Sequence, residues 1–466
     1  MILEAGSTIN VIVPVGAVGA GVRSSDMAAG IAMGAHAIAC DAGSTDSGPA
    51  YLATGKSKYS RDAVKADLRI LMVTQSRAKI PLLIGSCGTS GCDMALDWML
   101  EIALEIAREE DLNPRITLLY SEQDAATLDR YVQRGAIRPL APVMSVDRSI
   151  FERCDHIVAL MGPEPYVAAL RDGADIVLGG RTTDTAVIAA VPLMLGAGSG
   201  PAWHAGKTAE CGGQCTVFSR DGGVMVRVGR EHFEIEPLSA NNACTPATVS
   251  AHMLYENSDP FRLIEPGGIL DVTKSRYRAI SDRVVRVQAS VFEPAPYTMK
   301  LEGAAGGPFQ TIMLVGIQDP KVLAEIDRFT AQMHEHLVAR VLASMGDRAG
   351  KFDISLRPYG WNAISGMPVE TGSAPPREIG LLFVATAATQ EIATQIAKTC
   401  NPAFFHMPLD LEQELPSYAF PFSPSEIERG QVYEFLLNDI VEVADPMELV
   451  RVRHVFLEEP SNAQAR

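Results

Sequence analysis

The chain of 466 residues is too long for one ordinary hydrophobic core and predicts about two to three domains. Hydrophobic residues make up 47% and charged residues 21%, which excludes a disordered chain. The net charge of −16 excludes a sequence-independent nucleic-acid binder, which needs a basic footprint, and also excludes docking on an anionic membrane surface.

The apolar run at residues 9–15 has no Lys or Arg ahead of it and is too short for a signal-peptide core, so no export signal is expected. No stretch approaches the roughly 18 to 20 apolar residues of a membrane span, and a soluble, cytoplasmic chain follows. Eight cysteines fall far below disulfide-scaffold density and are expected to be reduced.

The first 200 residues alternate regularly. The β-branched run 9–15 leads into a Gly-rich loop, 16–21, and a predicted helix, 24–34. A short strand at 37–40 leads into the loop 41–49, and residues 60–77 have helical periodicity with Val64, Leu68, Leu71 and Met72 on one face. A strand at 80–84 is followed by the loop 85–93 and a strongly periodic helix, 94–108. Further strands are predicted at 116–120, 156–161 and 175–178, the last running into Gly179-Gly180-Arg181-Thr182-Thr183-Asp184. Strand, loop and helix in repetition predict an α/β fold: an open parallel sheet with helices on both faces, Rossmann-like, over residues 1–205. An eight-stranded barrel, which would need more strands than can be counted here, is the lesser alternative.

Beyond residue 201 the pattern changes. Residues 214–218 and 224–228, joined by Arg220-Asp221-Gly222-Gly223, read as a hairpin. Strands are predicted at 284–292, 297–302, 311–317, 352–356 and 380–385, with one long helix at 320–345 and another at 389–400. A C-terminal α+β domain over 206–459 and a loose tail, 460–466, complete the expected organisation.

In an open parallel sheet, ligands bind outside the carboxyl ends of the strands, where all four Gly-rich loops fall. Gly19, Gly43, Ser44, Gly85, Ser86 and Gly88 are candidate substrate-binding positions, because backbone N–H groups at such turns can receive an anion. Turns and caps also favour these residue types for purely structural reasons. The spacing of Gly16, Gly19 and Gly21 is not that of a dinucleotide fingerprint, and no phosphate-binding Gly-Lys-Ser/Thr sequence is present. Arg181, with Thr182 and Thr183, suits a bidentate carboxylate or phosphate clamp, with Asp184 as an acid, a base or a helix cap. Cys87 lies near the predicted N-terminus of helix 94–108, where a thiol is activated. The Cys87/Cys92 and Cys211/Cys215 spacings are not those of zinc ribbons, so buried thiols are the default and no metal site is expected there. His204, His252 and His406 stand alone and read as structural.

Several motifs together resemble the acyclic terpene utilisation (AtuA) family. Gly173-Ala-Asp175-Ile-Val-Leu-Gly-Gly-Arg181-Thr-Thr-Asp184 resembles its GADVV-x-GR-x-x-D segment, and Glu210-Cys211-Gly-Gly-Gln214 resembles its ECG-x-Q segment. Thr245-Pro-Ala-Thr-Val-Ser250, Tyr255-Glu256-Asn257, Glu265-Pro-Gly-Gly268 and Lys300-Leu-Glu302-Gly303 continue the likeness over about residues 10–310. The chain departs at the family's GDR-like N-terminal segment, where Arg23 and Asp26 stand in, so it resembles a divergent member. The resemblance implies catabolism of acids carried as CoA thioesters, a small family-related subunit as partner, and functional roles for Arg181, Asp184, Glu210, Cys211 and Gln214.

The expected function is a lyase or hydratase acting on a small carboxylic acid or its CoA thioester, with Asp41, Asp184, Glu210 or Cys211 as acid or base. Two alternatives stand beside it: a cysteine-dependent hydrolase or transferase using Cys87, and a non-catalytic ligand-binding subunit that needs a partner protein. No cofactor is required by the sequence. A divalent ion such as Mg²⁺ held by Asp41, Asp46, Asp93 and Asp184 is the open alternative. A homo-oligomer is expected.

Overall fold

The computed structural model describes residue 4 and residues 6–141, 146–255, 257–370, 373–410, 412 and 414–456. The expected loose tail at 460–466, and Glu256 of the family-like motif, lie outside the described residues. The chain divides into two compact units, Met1–Ala305 with Phe435–Arg466, and Gly306–Glu434. The boundary expected at residue 205 instead falls inside helix Ser199–Ala209 of the first unit.

The first unit is built on a ten-stranded mixed sheet. Its centre is parallel, in the spatial order Ile9–Val13, Ala37–Asp41, Leu82–Gly85, Ile176–Gly179, Ile116–Tyr120. Side chains alternate between the two faces, and both faces are buried. Val11, Val13, Ala39, Leu83 and Val177 point into one core. Ile12, Ile38, Leu82, Ile84 and Leu178 point into the other. Burial on both sides is why these strands read as continuous apolar runs. Helices Arg61–Ala78 and Asp93–Glu109 cover the second face through Leu68, Leu71, Met99 and Ile106. Helices Asp184–Met194 and Ser199–Ala209 cover the first through Val187, Ile188, Val191 and Ala205.

The sheet is not purely parallel as the sequence suggested. Val224–Val228 pairs antiparallel with Ile9–Val13, and His232–Pro237, Val285–Gln288 and Arg276–Ala279 extend it antiparallel. Arg451–Val455 pairs antiparallel with Ile116–Tyr120 at the other edge. Both flanks of the parallel core are thereby hydrogen-bonded and shielded from edge pairing. His156–Ala159 does not join this sheet; it pairs antiparallel with Leu301–Ala304. The predicted hairpin also moves: residues 212–215 form a 3₁₀ turn, and Val224–Val228 turns back through Gly229 onto His232–Pro237.

In the second unit, Phe352–Tyr359 and Ile379–Ala387 pair antiparallel, and Ile379–Ala387 continues onto residues 309–317. Ile326–Met345 and Gln390–Cys400 bury Phe329, Met333, Leu337 and Ile396 in its core, beside Phe383 on the sheet. The single helix expected at 320–345 is broken at Glu325, whose φ of −129° and ψ of 40° are not helical. Among the described residues no helix is long and apolar enough to cross a membrane.

Candidate functional site

A cavity of about 680 Å³ opens at the carboxyl ends of the parallel strands. Residues 14–17 follow the first strand into its wall, and Asp41, Gly43, Ser44, Asp46 and Ser47 follow the second. Asp184, at the start of helix Asp184–Met194, and Glu210, Cys211, Gly213 and Gln214 supply another side. Lys58, Tyr59, Arg220 and Tyr255 also line it, with Ala20, Gly21, Ser219 and Gly222 at the adjoining loops. Gly16 lies where the two chain segments meet closely: a Cβ there would sit 3.1 Å from the Cys211 backbone, which would have to shift by a few tenths of an ångström to admit it.

Carboxylates dominate the wall. Asp41 is 4% exposed; its Oδ2 accepts the Gly43 N–H at 3.1 Å, and Oδ1 has no partner among the described residues. Burial first, and the neighbouring Asp184 charge second, push the Asp41 carboxyl well above the usual range against the pull of Arg181, the nearby Ser86 hydroxyl and the Gly43 N–H. Burial also raises Asp184, with Arg181 and Lys207 opposing. Glu210 is buried, and burial raises its carboxyl although Lys207 Nζ lies 2.5 Å from Oε1. Burial alone would lower the Lys207 ammonium, but Glu210, Glu265 and Asp184 hold it above its ordinary value. Burial raises Glu265 to about 7, and burial with Lys207 lowers His252 to about 4.

Arg181 does not line the cavity. It is buried, and all three guanidinium nitrogens are engaged internally. Nε bonds Glu302 at 3.2 Å, one terminal nitrogen bonds Ser86, the Thr182 carbonyl and Asp184, and the other bonds Thr45. The expected substrate clamp is therefore an internal cation that fixes Asp184 from behind. Burial would raise Glu302, but Arg181 and Lys300 draw it down to about 2.

The loop 85–93 is likewise interior. Gly85, Ser86 and Gly88 are buried, and Ser86 accepts from Arg181 and Thr182 N while donating to the Thr182 carbonyl. Gly91, at φ +65°, packs so closely that a Cβ would lie 2.2 Å from Arg181 N. Cys87 is fully buried, its thiol raised by desolvation, and it contacts the Ile84 carbonyl instead of the cavity. It is not the thiolate expected at a helix start: the following helix begins at Asp93, with Cys92 as its N-cap. Thr182 is buried against Tyr166, and neither Thr182 nor Thr183 reaches the cavity wall.

The first Gly-rich loop also turns inward. The Asp67 carboxylate accepts N–H groups from Gly19 at 2.7 Å, Gly21 at 3.0 Å and Val22 at 2.7 Å. That anion cradle is filled by the protein itself, so Gly19 has no N–H to offer a substrate. Arg23 pairs with Asp26 and Asp221 and anchors the loop 219–223 beside the cavity.

The structure thus brings Asp41, Gly43, Ser44, Asp184, Glu210, Cys211 and Gln214 to one cavity and leaves Gly19, Gly85, Ser86, Cys87, Gly88, Arg181, Thr182 and Thr183 behind it. Sequence reading missed Lys207, whose signal is the three-residue spacing to Glu210 on one helix face. It also missed Glu265 and Glu302, both inside family-like motifs. Asp41, Asp46, Asp93 and Asp184 form no common ligand group among the described residues, and Asp93 instead pairs with Arg451 at 2.5 Å. Two mixed groups do bring ligand atoms within 4.8 Å of one another: Glu210, Cys211 and His252, and Cys92, Glu122 and His156.

No curated protein and no solved structure matches the chain. The family model described as acyclic terpene utilisation family protein AtuA matches residues 48–418, a span that holds Asp184, Glu210, Cys211 and the segment from Glu265 to Glu302. The chain therefore belongs to the AtuA family, catabolic by that description.

Proposed function

We propose that the protein is a hydro-lyase that adds or removes water on a small carboxylic acid or its CoA thioester. The observation that carries this reading is Asp41: a buried carboxylate in the cavity wall, with Oδ1 unpartnered and its proton affinity raised by burial and by Asp184. Elimination of water needs one group to take a proton from carbon and another to give one to the departing hydroxyl. Two interacting carboxyls of raised proton affinity can share those tasks near neutral pH. Asp41 takes the carbon-bound proton in this scheme, and Asp184 hands one to the hydroxyl.

Binding is local on a chain of net negative charge. Lys58, whose Nζ lies 3.1 Å from Ser47 Oγ, and the exposed Arg220 are the cations of the cavity wall. They suit a carboxylate or a phosphate at the rim, while Ser44 and Gln214 supply neutral hydrogen bonds. The volume falls in the range of small-molecule sites, about 300–1,000 Å³.

The test is incubation of pure protein with a panel of small hydroxy and unsaturated acids and their CoA thioesters, read by mass spectrometry. A product differing by one water, absent with Asp41→Asn, supports the reading. Thioester hydrolysis, or no conversion of any candidate, rejects it.

A further inference from the structure

Glu210, Cys211 and His252 come from two segments. Glu210 and Cys211 end the helix Ser199–Ala209, and His252 follows the short helix Pro246–Ala251, whose start is fixed by the reciprocal Thr245/Thr248 capping bonds. Each residue offers a ligand atom within 4.8 Å of the other two. His252 is 5% exposed, and its Nε2 has no hydrogen-bond partner among the described residues. A buried ring nitrogen left this way carries a desolvation cost that a bound ligand would remove.

One oxygen of the Glu210 carboxylate is already oriented by an outer donor. Lys207 holds Glu210 Oε1 at 2.5 Å, whereas Oε2 has a long 3.4 Å contact from Thr185 Oγ1. Ligating carboxylates commonly have one oxygen held by an outer donor in this way. The Lys207 ammonium is also felt by Glu265 and by Asp184, the latter held by Arg181 as well.

We propose that Glu210, Cys211 and His252 bind a divalent ion of the zinc class. One imidazole, one thiolate and one carboxylate suit Zn²⁺ or Co²⁺ and are a poor set for Mg²⁺ or Ca²⁺, which want oxygen alone. Three protein donors leave a coordination position, and two of the three residues line the cavity, so that position is reachable by a substrate oxygen. The ligand set uses neither Asp41 nor Asp184, although Lys207 links Glu210 to Asp184 electrostatically, so metal binding can stand where the hydro-lyase reading fails. The second group, Cys92, Glu122 and His156, is different. Glu122 already bonds His156 Nδ1 at 2.6 Å through one oxygen and Asp93 N at 2.7 Å through the other. It serves as the internal control.

The experiment is anaerobic titration of chelator-treated full-length protein with Co²⁺, followed by displacement with Zn²⁺, with metal content counted by mass spectrometry. One equivalent of Co²⁺ with a thiolate-to-metal charge-transfer band is expected, and Zn²⁺ should abolish the band. Cys211→Ser should remove the band, and His252→Ala, which removes a direct ligand, should weaken binding by more than the roughly 10–100-fold that loss of an outer-shell partner costs. Cys92→Ser should leave both unchanged. Circular dichroism and melting of each variant separate lost binding from lost folding, and Glu210→Gln, which keeps the side-chain shape, gives a second reading should Cys211→Ser not fold. Absence of stoichiometric Co²⁺, a band that survives Cys211→Ser, or a band lost in Cys92→Ser would overturn the assignment.

Discussion

Arg181 and Glu302, 121 positions apart in sequence, form a buried ion pair, with Nε 3.2 Å from Oε2 and side chains 5% and 6% exposed. Removing Glu302 leaves the buried Arg181 guanidinium with Asp184, at 3.3 Å, as its remaining bonded carboxylate. Glu302→Ala should therefore cost about 3–5 kcal/mol in urea unfolding. A loss near the ~0–1 kcal/mol of a surface pair would show that Arg181 reaches solvent on its own.

Asp41→Asn should lower kcat/KM by about 10²–10⁴-fold on whichever acid or thioester is turned over, with little change in melting temperature. Asp184→Asn removes the neighbouring negative charge that helps raise Asp41. The acid limb of the residual kcat/KM profile should then move to lower pH, because Asp41 must be ionised to take a proton. A limb that stays in place would separate the two residues.

The thiols divide by access. Iodoacetamide on the folded, chelator-treated protein should label Cys211, which lines the cavity, and leave Cys87 untouched, which is fully buried. Peptide mass spectrometry reads both sites directly. Cys87→Ala should retain turnover, and loss of chemistry with folding intact would revive the cysteine-nucleophile mechanism.

Asp67 receives three backbone N–H groups from the loop 16–22. Asp67→Ala strands all three donors and should cost on the order of 3 kcal/mol, measured by denaturant unfolding. The loop it holds forms part of the cavity rim, so KM should rise with it.

His204 is fully buried between Ser290 Oγ at 2.7 Å and Tyr277 Oη at 3.1 Å, and burial lowers its pKa to about 3. The folded value lies below the unfolded value of about 6.5. Its contribution is therefore present above about pH 6.5 and lost as pH falls toward 3. His204→Gln should cost most near pH 7, and the gap to the native protein in urea midpoint should narrow by about pH 4.5. A constant gap would mean that His204 protonates within the fold.

Period-two and period-3.6 patterns located the parallel strands and the helices around them, because burial on one or both faces writes itself into neighbouring residues. The strand-end position of Asp41, Ser44 and Asp184 followed from the same local signal. What local patterning cannot show is which donor meets which acceptor across the fold. Asp67 fills the cradle of a loop 45 to 48 residues away, and Glu302 claims Arg181 from a different strand. Both partners are ordinary acidic residues with no motif of their own. The antiparallel flanks of the sheet were hidden for a related reason: pairing between Ile9–Val13 and Val224–Val228 is settled by long-range register, not by either strand's composition.

The antiparallel strand Arg451–Val455 has a consequence for synthesis. Thr117 and His454, bonded across that pair, are 337 positions apart. A chain emerging from the ribosome carries the Ile116–Tyr120 edge uncovered while Gly306–Glu434 is still being made. The intervening unit, with contacts closer in sequence, can complete itself first, and the cavity-bearing unit matures after it. Chaperone dependence during translation, and aggregation when elongation stalls between residues 306 and 450, are where this protein should be most vulnerable.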